Sequence, residues 1–370
     1  MKITIQQAEL NKALQVVSNI VPAKTTLPVL TCVLMEAEGD NLTLSATNLD
    51  ISVTTSVTGV TVDQPGKIAV PAAKFISFVR SLSAGEVKLS EKDGKIAIVA
   101  GKASFSESSM NADEFPALPN IAEGKGYELL SKTLVSMIKS TAYAVSRDET
   151  RPALMGLLWE VKPTSLAMVA TDAHRLAKVE QKMDWGVTEI MSLISDTQGL
   201  LQYVRLADNE EITRLFLGTN QITFQIGATT LHTRILEGPF PDYTAVIPQG
   251  NDLQMTLDRE AFMGAVRRVS ITADRITSQI RLGMETGRLE LSATGTDGSR
   301  AEDEIPVGYD GGALEIGFNY GYLLDVLKNL GTDEVVLSFK DAQSATLLSP
   351  VTDDEADVLC LLMPLRLTSD

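Results

Sequence analysis

An Ala-Thr dipeptide ends an apolar, strand-like stretch three times in this chain of 370 residues, and its spacing strongly constrains the fold. The copies are Ala46-Thr47 in "LTLSATNLD", Ala170-Thr171 in "LAMVATDAH" and Ala293-Thr294 in "LELSATGTD", and they are 124 and 123 residues apart. Self-similarity at a constant period is typical of repeated structural units, so the sequence predicts three tandem repeats of about 120 residues.

The segments around each Ala-Thr pair repeat as well. An apolar stretch precedes it ("LPVLTCVLMEA", "RPALMGLLWEV", "ITSQIRLGMET") and a segment of alternating polarity follows it, which predicts consecutive antiparallel strands. Apolar residues at spacings of three and four predict two amphipathic helices per repeat. These helices are residues 8–20 and 72–82, 130–145 and 197–207, and 258–271 and 320–330. The pattern predicts an α+β fold with sheets covered on one face by helices.

Two linkers rich in turn-forming residues separate the repeats. They are "ADEFPALPNIAEGKG" (112–126) and "GPFPDYTAVIPQGND" (238–252), and both contain Phe-Pro. Dense Gly, Pro, Asn and Asp mark loops between structured segments. The predicted domains are therefore residues 1–122, 123–250 and 251–370.

The net charge of −16, with a pI near 4.7, at first argues against a nucleic-acid partner. However, Arg80, Arg205 and Lys328 hold the same place in the second helix of each repeat. A snorkelling surface residue explains each one taken singly, whereas recurrence at the repeat period indicates one basic helical face. Because electrostatic fields are local, such a face can attract a polyanion despite the net charge. With 5% aromatic residues, contact with the nucleic-acid backbone is favoured over base readout.

Motifs for chemistry are scarce. The sequence contains no phosphate-binding loop, dinucleotide fingerprint, nucleophile elbow or HExxH helix. Asp172 and His174, expected on one face at the end of a strand, leave open an acid–base site or the polar rim of a binding pocket. Two distant histidines and no Cys/His cluster predict neither metal nor cofactor. Cys32 and Cys360 lie in apolar runs and are predicted to be buried free thiols.

No stretch approaches the roughly 20 apolar residues that span a bilayer, and the N-terminus has no charged segment followed by an apolar run. A cytoplasmic protein without membrane contact is therefore expected.

Several motifs together resemble one family. They are "LPVL" (27–30), "VPAAKF" (70–75), "RPALMGLLWE" (151–160), "ATDAHRLA" (170–177), "FPDY" (240–243), "IGFNYGYLLDVL" (316–327) and "MPLRL" (363–367). In this order they resemble the bacterial replicative sliding clamp, the beta subunit of DNA polymerase III, over essentially the whole chain. The resemblance implies a non-enzymatic head-to-tail homodimer whose six repeats form a ring, with sheets outside and helices lining a hole for duplex DNA.

The resemblance also implies sites and partners. The DNA-contacting residues would be Lys24, Lys74, Arg80, Arg147, Arg205 and Lys328. A groove for short peptides with hydrophobic anchors would be formed by Leu154, Thr171, His174, Arg175, Leu176, Pro241, Val246, Asn319, Tyr322, Met363, Pro364, Leu365 and Arg366. Ordinary core packing is the competing interpretation of its apolar members. The dimer interface would contain Phe105, Glu107 and Ile271. The implied partners are a clamp loader, the catalytic subunit of the replicative polymerase, repair polymerases and mismatch-repair proteins.

Four features depart from the family's usual pattern. Residues 195–198, Ser-Asp-Thr-Gln, replace a basic turn before the second helix of the middle repeat. Ala173 stands where glycine is common, and Thr244-Ala245 where an arginine often joins the groove rim. Glu107 holds a usually apolar interface position, which weakens a dimer unless a cation faces it.

Two other functions compete with the clamp. A repeat scaffold that binds peptides but not DNA would suit the negative charge. An enzyme would use Asp172 and His174 as an acid–base pair.

Overall fold

The computed structural model describes residues 1–121, 126–208, 210–352 and 356–367. The chain forms two compact units, the first made of Met1–Val135 and Gln198–Ile235 and the second of Ser136–Thr197 and Leu236–Asp370. The predicted boundary near residue 122 falls outside the described residues. Within the described part of the chain, no helix is long and apolar enough to cross a membrane.

Six α-helices of the described residues match the six predicted segments. They are α1 (Gln7–Ser18), α2 (Ala72–Ser81), α3 (Ser131–Ala142), α4 (Thr197–Leu206), α5 (Arg259–Val269) and α6 (Tyr320–Asn329). α1 packs against α2, and α5 packs against α6. The prediction of two amphipathic helices per repeat is confirmed.

The strands follow the same repeat. The first nine are β1 (Lys2–Gln6), β2 (Cys32–Glu38), β3 (Asn41–Thr47), β4 (Ile51–Thr58), β5 (Thr61–Gln64), β6 (Gly66–Pro71), β7 (Glu86–Lys92), β8 (Lys95–Ala100) and β9 (Ala103–Ser108). The next eight are β10 (Tyr127–Leu130), β11 (Gly156–Lys162), β12 (Ser165–Thr171), β13 (Arg175–Lys182), β14 (Met191–Asp196), β15 (Ile212–Leu217), β16 (Gln221–Ile226) and β17 (Thr229–Arg234). The last eight are β18 (Leu253–Asp258), β19 (Gln279–Glu285), β20 (Arg288–Thr294), β21 (Arg300–Pro306), β22 (Leu314–Asn319), β23 (Glu334–Phe339), β24 (Thr346–Pro350) and β25 (Ala356–Leu362).

Each compact unit contains two antiparallel sheets. The sheets of the first unit have the strand orders β5-β1-β7-β8-β9 and β10-β15-β16-β17-β4-β3-β2-β6. Those of the second unit are β14-β11-β12-β13-β25-β24-β23-β18 and β21-β20-β19-β22. The three strands around each Ala-Thr pair are consecutive antiparallel neighbours, as the alternation pattern predicts.

Neighbouring repeats share sheets, which the sequence pattern did not predict. β4 pairs with β17 in the first unit, and β13 pairs with β25 in the second. These two pairings, called seams below, join strands that are far apart in the sequence. As a result the compact units divide the chain at other places than the sequence repeats do.

Apolar side chains of the strands and of the helix faces fill the core. Trp159, Tyr203 and Phe75 are the largest side chains with almost no exposed surface. Cys32 and Cys360 are both buried and unpaired, which confirms the prediction of free thiols. Burial raises the pKa of the Cys360 thiol to about 11, so this side chain stays protonated at neutral pH.

Candidate functional site

A tight turn joins β12 to β13, and Asp172, Ala173 and His174 form it. The Thr171 hydroxyl donates to the carbonyl of Arg175 at 2.7 Å and accepts from the amide of Ala173 at 3.2 Å. Oδ1 of Asp172 accepts from the amides of His174 and Arg175 at 2.9 and 3.0 Å. An aspartate that bonds to amides two and three residues onward stabilises such turns.

This geometry corrects the expected placement of Asp172 and His174. β12 ends at Thr171, so the two side chains do not share a strand face. Ala173 has a φ of 78°, in the left-handed region that an L-residue adopts only at a cost in energy. The backbone at this position therefore favours glycine, which adopts such a φ without a steric cost.

The first repeat contains the same turn. Thr47 Oγ1 donates to the carbonyl of Ile51 at 2.9 Å and accepts from the amide of Leu49 at 3.0 Å. Asn48 Oδ1 accepts from the amides of Asp50 and Ile51 at 3.1 and 2.7 Å, and Leu49 has a φ of 79°. In the first two repeats the Ala-Thr pair is therefore part of the same structural turn, whereas Thr294 of the third repeat precedes a longer connection, residues 295–299. The Asp172 carboxylate is occupied by backbone amides.

Arg175, the first residue of β13, is the most highly connected side chain of the site. Its side chain is 9% exposed, with Nε 3.0 Å from Asp172 Oδ2 and Nη1 2.7 Å from Asp325 Oδ2. Nη2 donates to the carbonyl of Tyr143 at 2.7 Å. The guanidinium carbon lies 4.4 Å from the ring centre of Tyr322 and 5.5 Å from that of Tyr143. Two carboxylates and two aromatic rings compensate for the burial of this charge.

Tyr143 and Asp325 were not singled out in the sequence. The Tyr143 hydroxyl lies 3.0 Å from Cys360 Sγ, and burial raises the pKa of that hydroxyl well above its usual value. Asp325 lies three residues after Tyr322 on α6, a spacing that places two side chains on one helix face. This spacing from Tyr322 was the signal in the sequence that could have identified Asp325 as a residue of the site.

The C-terminal segment lies beside the same turn. The amide of Met363 donates to the carbonyl of His174 at 3.0 Å, and the amide of Leu365 donates to the carbonyl of Gly317 at 2.8 Å. A Cβ at Gly317 would lie 2.7 Å from the carbonyl oxygen of Leu365, so only glycine admits this close approach. Gln279 Nε2 donates to the carbonyl of Arg366 at 3.2 Å.

α6 and the segment after Phe240 complete the surroundings. The Asn319 side chain caps α6 by accepting from the amides of Gly321 and Tyr322 at 2.9 and 3.2 Å. The Tyr243 hydroxyl donates to Glu160 Oε2 at 3.0 Å, which fixes the short helical turn Tyr243–Val246. His174 stacks on Tyr322, with ring centres 6.3 Å apart.

The thirteen predicted groove residues all lie in the second compact unit but differ widely in burial. Val246 and Met363 are 55% and 44% exposed, which leaves apolar surface open to solvent. Leu176 is 1% exposed and belongs to a core cluster with Leu158 and Leu361. The buried members are Leu154, Thr171, Arg175 and Leu176, the intermediate members are Asn319, Tyr322, Pro364 and Leu365, and the exposed members are His174, Pro241, Val246, Met363 and Arg366.

All six predicted DNA-contacting residues are exposed. Arg80, Arg205 and Lys328 lie in the last turns of α2, α4 and α6. Of the six predicted residues, only Lys74 forms an ion pair within the described part of the chain, at 3.5 Å from Glu107. A basic side chain in the last turn also stabilises the helix by compensating its dipole, so recurrence alone does not establish a ligand.

Residues 195–198 do not form a separate turn. β14 ends at Asp196 and α4 begins at Thr197, so the strand runs directly into the helix. Ser195 is buried and accepts from the indole of Trp159 at 2.8 Å, while Thr197 donates to the carbonyl of Met155 at 2.7 Å. The prediction of a turn at this position is therefore wrong, because the strand passes into the helix with no residue between them.

The predicted interface residues lie in both units. Phe105 and Glu107 belong to β9, which is at one edge of its five-stranded sheet. Phe105 stacks on Phe78 with ring centres 4.9 Å apart, and Lys74 supplies a cation for Glu107 from within the same chain. Ile271, after α5, is strongly exposed.

Three sequence models of the DNA polymerase III beta subunit match the chain, with the N-terminal domain at residues 1–119, the central domain at 128–242 and the C-terminal domain at 244–366. The beta sliding clamp of Pseudomonas putida is 34% identical and covers 99% of this chain and 100% of that protein. That of Caulobacter vibrioides has the same identity and coverage. The crystal structure of the DNA polymerase III subunit beta from Pseudomonas aeruginosa has a TM-score of 0.94, 33% identity, and coverage of 99% of this chain and 100% of that one.

Proposed function

This chain belongs to the DNA polymerase III beta subunit family, the sliding clamps, and we propose that two copies close head to tail into a six-repeat ring around duplex DNA. The full-length similarity to beta sliding clamps carries the proposal. A heterologous contact that closes after two copies gives a finite ring. Three repeats per chain, bounded at 1–122, 123–250 and 251–370, make six per ring.

The charge pattern supports topological rather than tight binding. Lys24, Arg80, Arg147, Arg205 and Lys328 are exposed cations without an ion pair among the described residues. They supply a few weak contacts to phosphates, while the net charge of −16 opposes collapse onto DNA. A ring that encircles DNA without sequence preference needs this combination.

We propose that the surface beside the β12–β13 turn forms a groove that docks short peptides of the clamp loader, the replicative polymerase, repair polymerases and mismatch-repair proteins. Val246 and Met363 offer exposed apolar surface, and His174 and Arg366 offer polar groups at its rim. Peptide sites combine apolar anchoring with a few polar contacts that fix orientation. We propose a non-catalytic role, because the Asp172 carboxylate is engaged by two amides and Arg175. The similarity to beta sliding clamps supports the proposal of a cytoplasmic location.

The proposed subunit contact uses Phe105 and Glu107 on β9, and Ile271. Lys74 faces Glu107, so the charged residue at a usually apolar position has a partner. We expect Phe105→Asp to give monomers in sedimentation, because it places a second carboxylate at the contact. Sedimentation of that variant as a dimer at wild-type strength would contradict the interface.

Loading onto circular DNA tests the function. A clamp loader from the same source, with ATP, would load the protein onto a nicked circular duplex, which is then cut once. Retention on the circle and release after cutting are expected for a closed ring. No retention, with the loader active on its own control clamp, would favour a peptide-binding scaffold that does not hold DNA.

A further inference from the structure

We infer that Asp325 on α6 is a positioning residue for the peptide groove and that it acts through Arg175. The inference rests on the proposed peptide-binding function. Asp325 is absent from the groove residues that the family resemblance implies, yet its Oδ2 lies 2.7 Å from Arg175 Nη1. Among the described residues, Asp325 is the only residue of α6 that forms an ion pair with Arg175.

Arg175 itself has little capacity left for a peptide. Three of its nitrogens are engaged by Asp172, Tyr143 and Asp325, and its side chain is 9% exposed. A guanidinium has five N–H donors in a rigid fork, so fixing three nitrogens fixes the whole group. Arg175 therefore shapes the groove from beneath.

Of the two carboxylates that form ion pairs with Arg175, that of Asp325 is the more exposed to solvent. Its side chain is 50% exposed, whereas that of Asp172 is 13% exposed. Asp172 belongs to the same turn as Arg175, so their ion pair stabilises the turn but does not attach it to another element. Asp325 comes from α6, and its ion pair holds the helix to the turn.

Tyr322 connects this attachment to the groove. It lies one helical turn before Asp325, its ring centre is 4.4 Å from the Arg175 guanidinium carbon, and His174 stacks on it. Loss of the Asp325 charge removes the ion pair between α6 and Arg175 and leaves only the contact of the Tyr322 ring with the guanidinium, so we expect the separation of Tyr322 and His174 to be less well fixed. A preorganised groove binds more tightly because fewer groups must be ordered on binding.

The test measures the dissociation constant of a fluorescein-labelled peptide with adjacent Leu and Phe anchors, whose net charge with the dye included is zero, using the full-length protein. Zero net charge removes long-range attraction between peptide and protein as an explanation. We expect Asp325→Asn to weaken binding about 5-fold or more, and Asp325→Glu to restore most of it. The matched control is Glu285→Gln, which removes a similarly exposed carboxylate that pairs with Arg288 at 3.2 Å; it should bind as wild type does.

Two further readouts separate positioning from folding. The melting temperature of Asp325→Asn should stay within about 3 °C of wild type, because a half-exposed ion pair contributes little to stability. Arg175→Lys keeps the charge but loses the fork, and it should weaken peptide binding at least as much. Wild-type affinity in Asp325→Asn or in Arg175→Lys would overturn the inference. Failure of the wild-type protein to bind the peptide would instead overturn the proposed groove, and the inference with it.

Discussion

The turns after β3 and after β12 have the same backbone but different surroundings. Both use a threonine hydroxyl, an Asn or Asp oxygen and a left-handed third residue. The first ends in Ile51, a buried apolar residue, and the second ends in Arg175, a buried cation with two carboxylate partners. One repeated turn therefore serves packing in the first unit and builds a polar site in the second.

The two turns share a backbone and differ in the residue that follows it, so the surroundings of each turn depend on that residue. At the first seam, Ile51 of β4 pairs with Thr233 of β17. At the second, Arg175 of β13 pairs with Leu362 of β25, and the chain continues into the segment that borders the proposed groove. The proposed peptide site therefore lies beside a turn whose backbone the first repeat shares.

Replacing the final residue of each turn, Arg175 or Ile51, should have the largest effect and should distinguish the two turns by peptide binding. Arg175→Ala should lower the free energy of unfolding by about 3–5 kcal/mol, because the largely buried Asp172 loses its cation and the carbonyl of Tyr143 loses its donor, and peptide binding should be lost. Ile51→Ala should cost about 2–5 kcal/mol through a cavity and leave peptide binding unchanged. Urea titrations and peptide anisotropy measure both effects. Loss of peptide binding in Ile51→Ala would contradict the distinction.

The first seam should show a pH dependence through His232, which pairs with Ser52 of β4. Burial lowers the pKa of His232 from 6.5 to about 4. The unfolded chain therefore takes up a proton near pH 6.5 while the folded chain does not. The contribution of His232 to the free energy of unfolding is fully present above pH 6.5. As the pH falls toward 4, the free energy of unfolding decreases by up to about 3 kcal/mol.

Native-state hydrogen exchange of β17 at pH 7 and pH 5 measures this loss, once corrected for the intrinsic pH dependence of exchange. His232→Gln should remove most of the loss, and His174→Gln, at an exposed histidine, should keep it. The same loss in His232→Gln as in wild type would show that another group is responsible.

Replacing the second residue of each turn, Asp172 by Asn and Asn48 by Asp, measures how much the ion pair with Arg175 contributes to stability. Asp172→Asn keeps an oxygen for the two amides but loses the ion pair with Arg175, so about 1–2 kcal/mol of stability should be lost. Asn48→Asp keeps the amide contacts and has no cation to gain at Ile51, so it should change stability by less than about 0.5 kcal/mol. Thermal unfolding of both variants checks this, and equal losses would mean that the ion pair contributes nothing.

Glycine at the third turn position should have the smallest effect. Ala173→Gly and Leu49→Gly each relieve a left-handed φ and should raise stability by up to about 1 kcal/mol. Calorimetry of the two variants tests whether the turns carry equal strain. A stabilisation confined to one turn would show that the two are not equivalent.

The repeat made much of the fold predictable from the sequence. Periodicity located the six α-helices of the described residues and the triplets of strands around each Ala-Thr pair. It could not show that β4 pairs with β17 or β13 with β25, because pairing between distant strands leaves no periodic signal within either strand.

The site was less predictable. Family resemblance indicated Arg175 and Tyr322, but a linear pattern does not show that Arg175 is buried among internal partners. Tyr143 and Asp325 join the cluster through tertiary contacts with β13. Residues 195–198 were expected to form a turn because the family resemblance implies one at this position. The hydrogen bonds of Ser195 with Trp159 and of Thr197 with Met155 join residues that are distant in sequence, so no local pattern predicts them.

The most direct test of the difference between the two turns is photo-crosslinking with a peptide that carries a benzophenone beside its apolar anchors, followed by mass-spectrometric mapping. We predict crosslinks at Val246 and Met363 that excess unlabelled peptide suppresses, and none at residues 47–51. Crosslinks that concentrate at the exposed Leu49 turn, or that unlabelled peptide does not suppress, would contradict the assignment of the peptide site to the second turn.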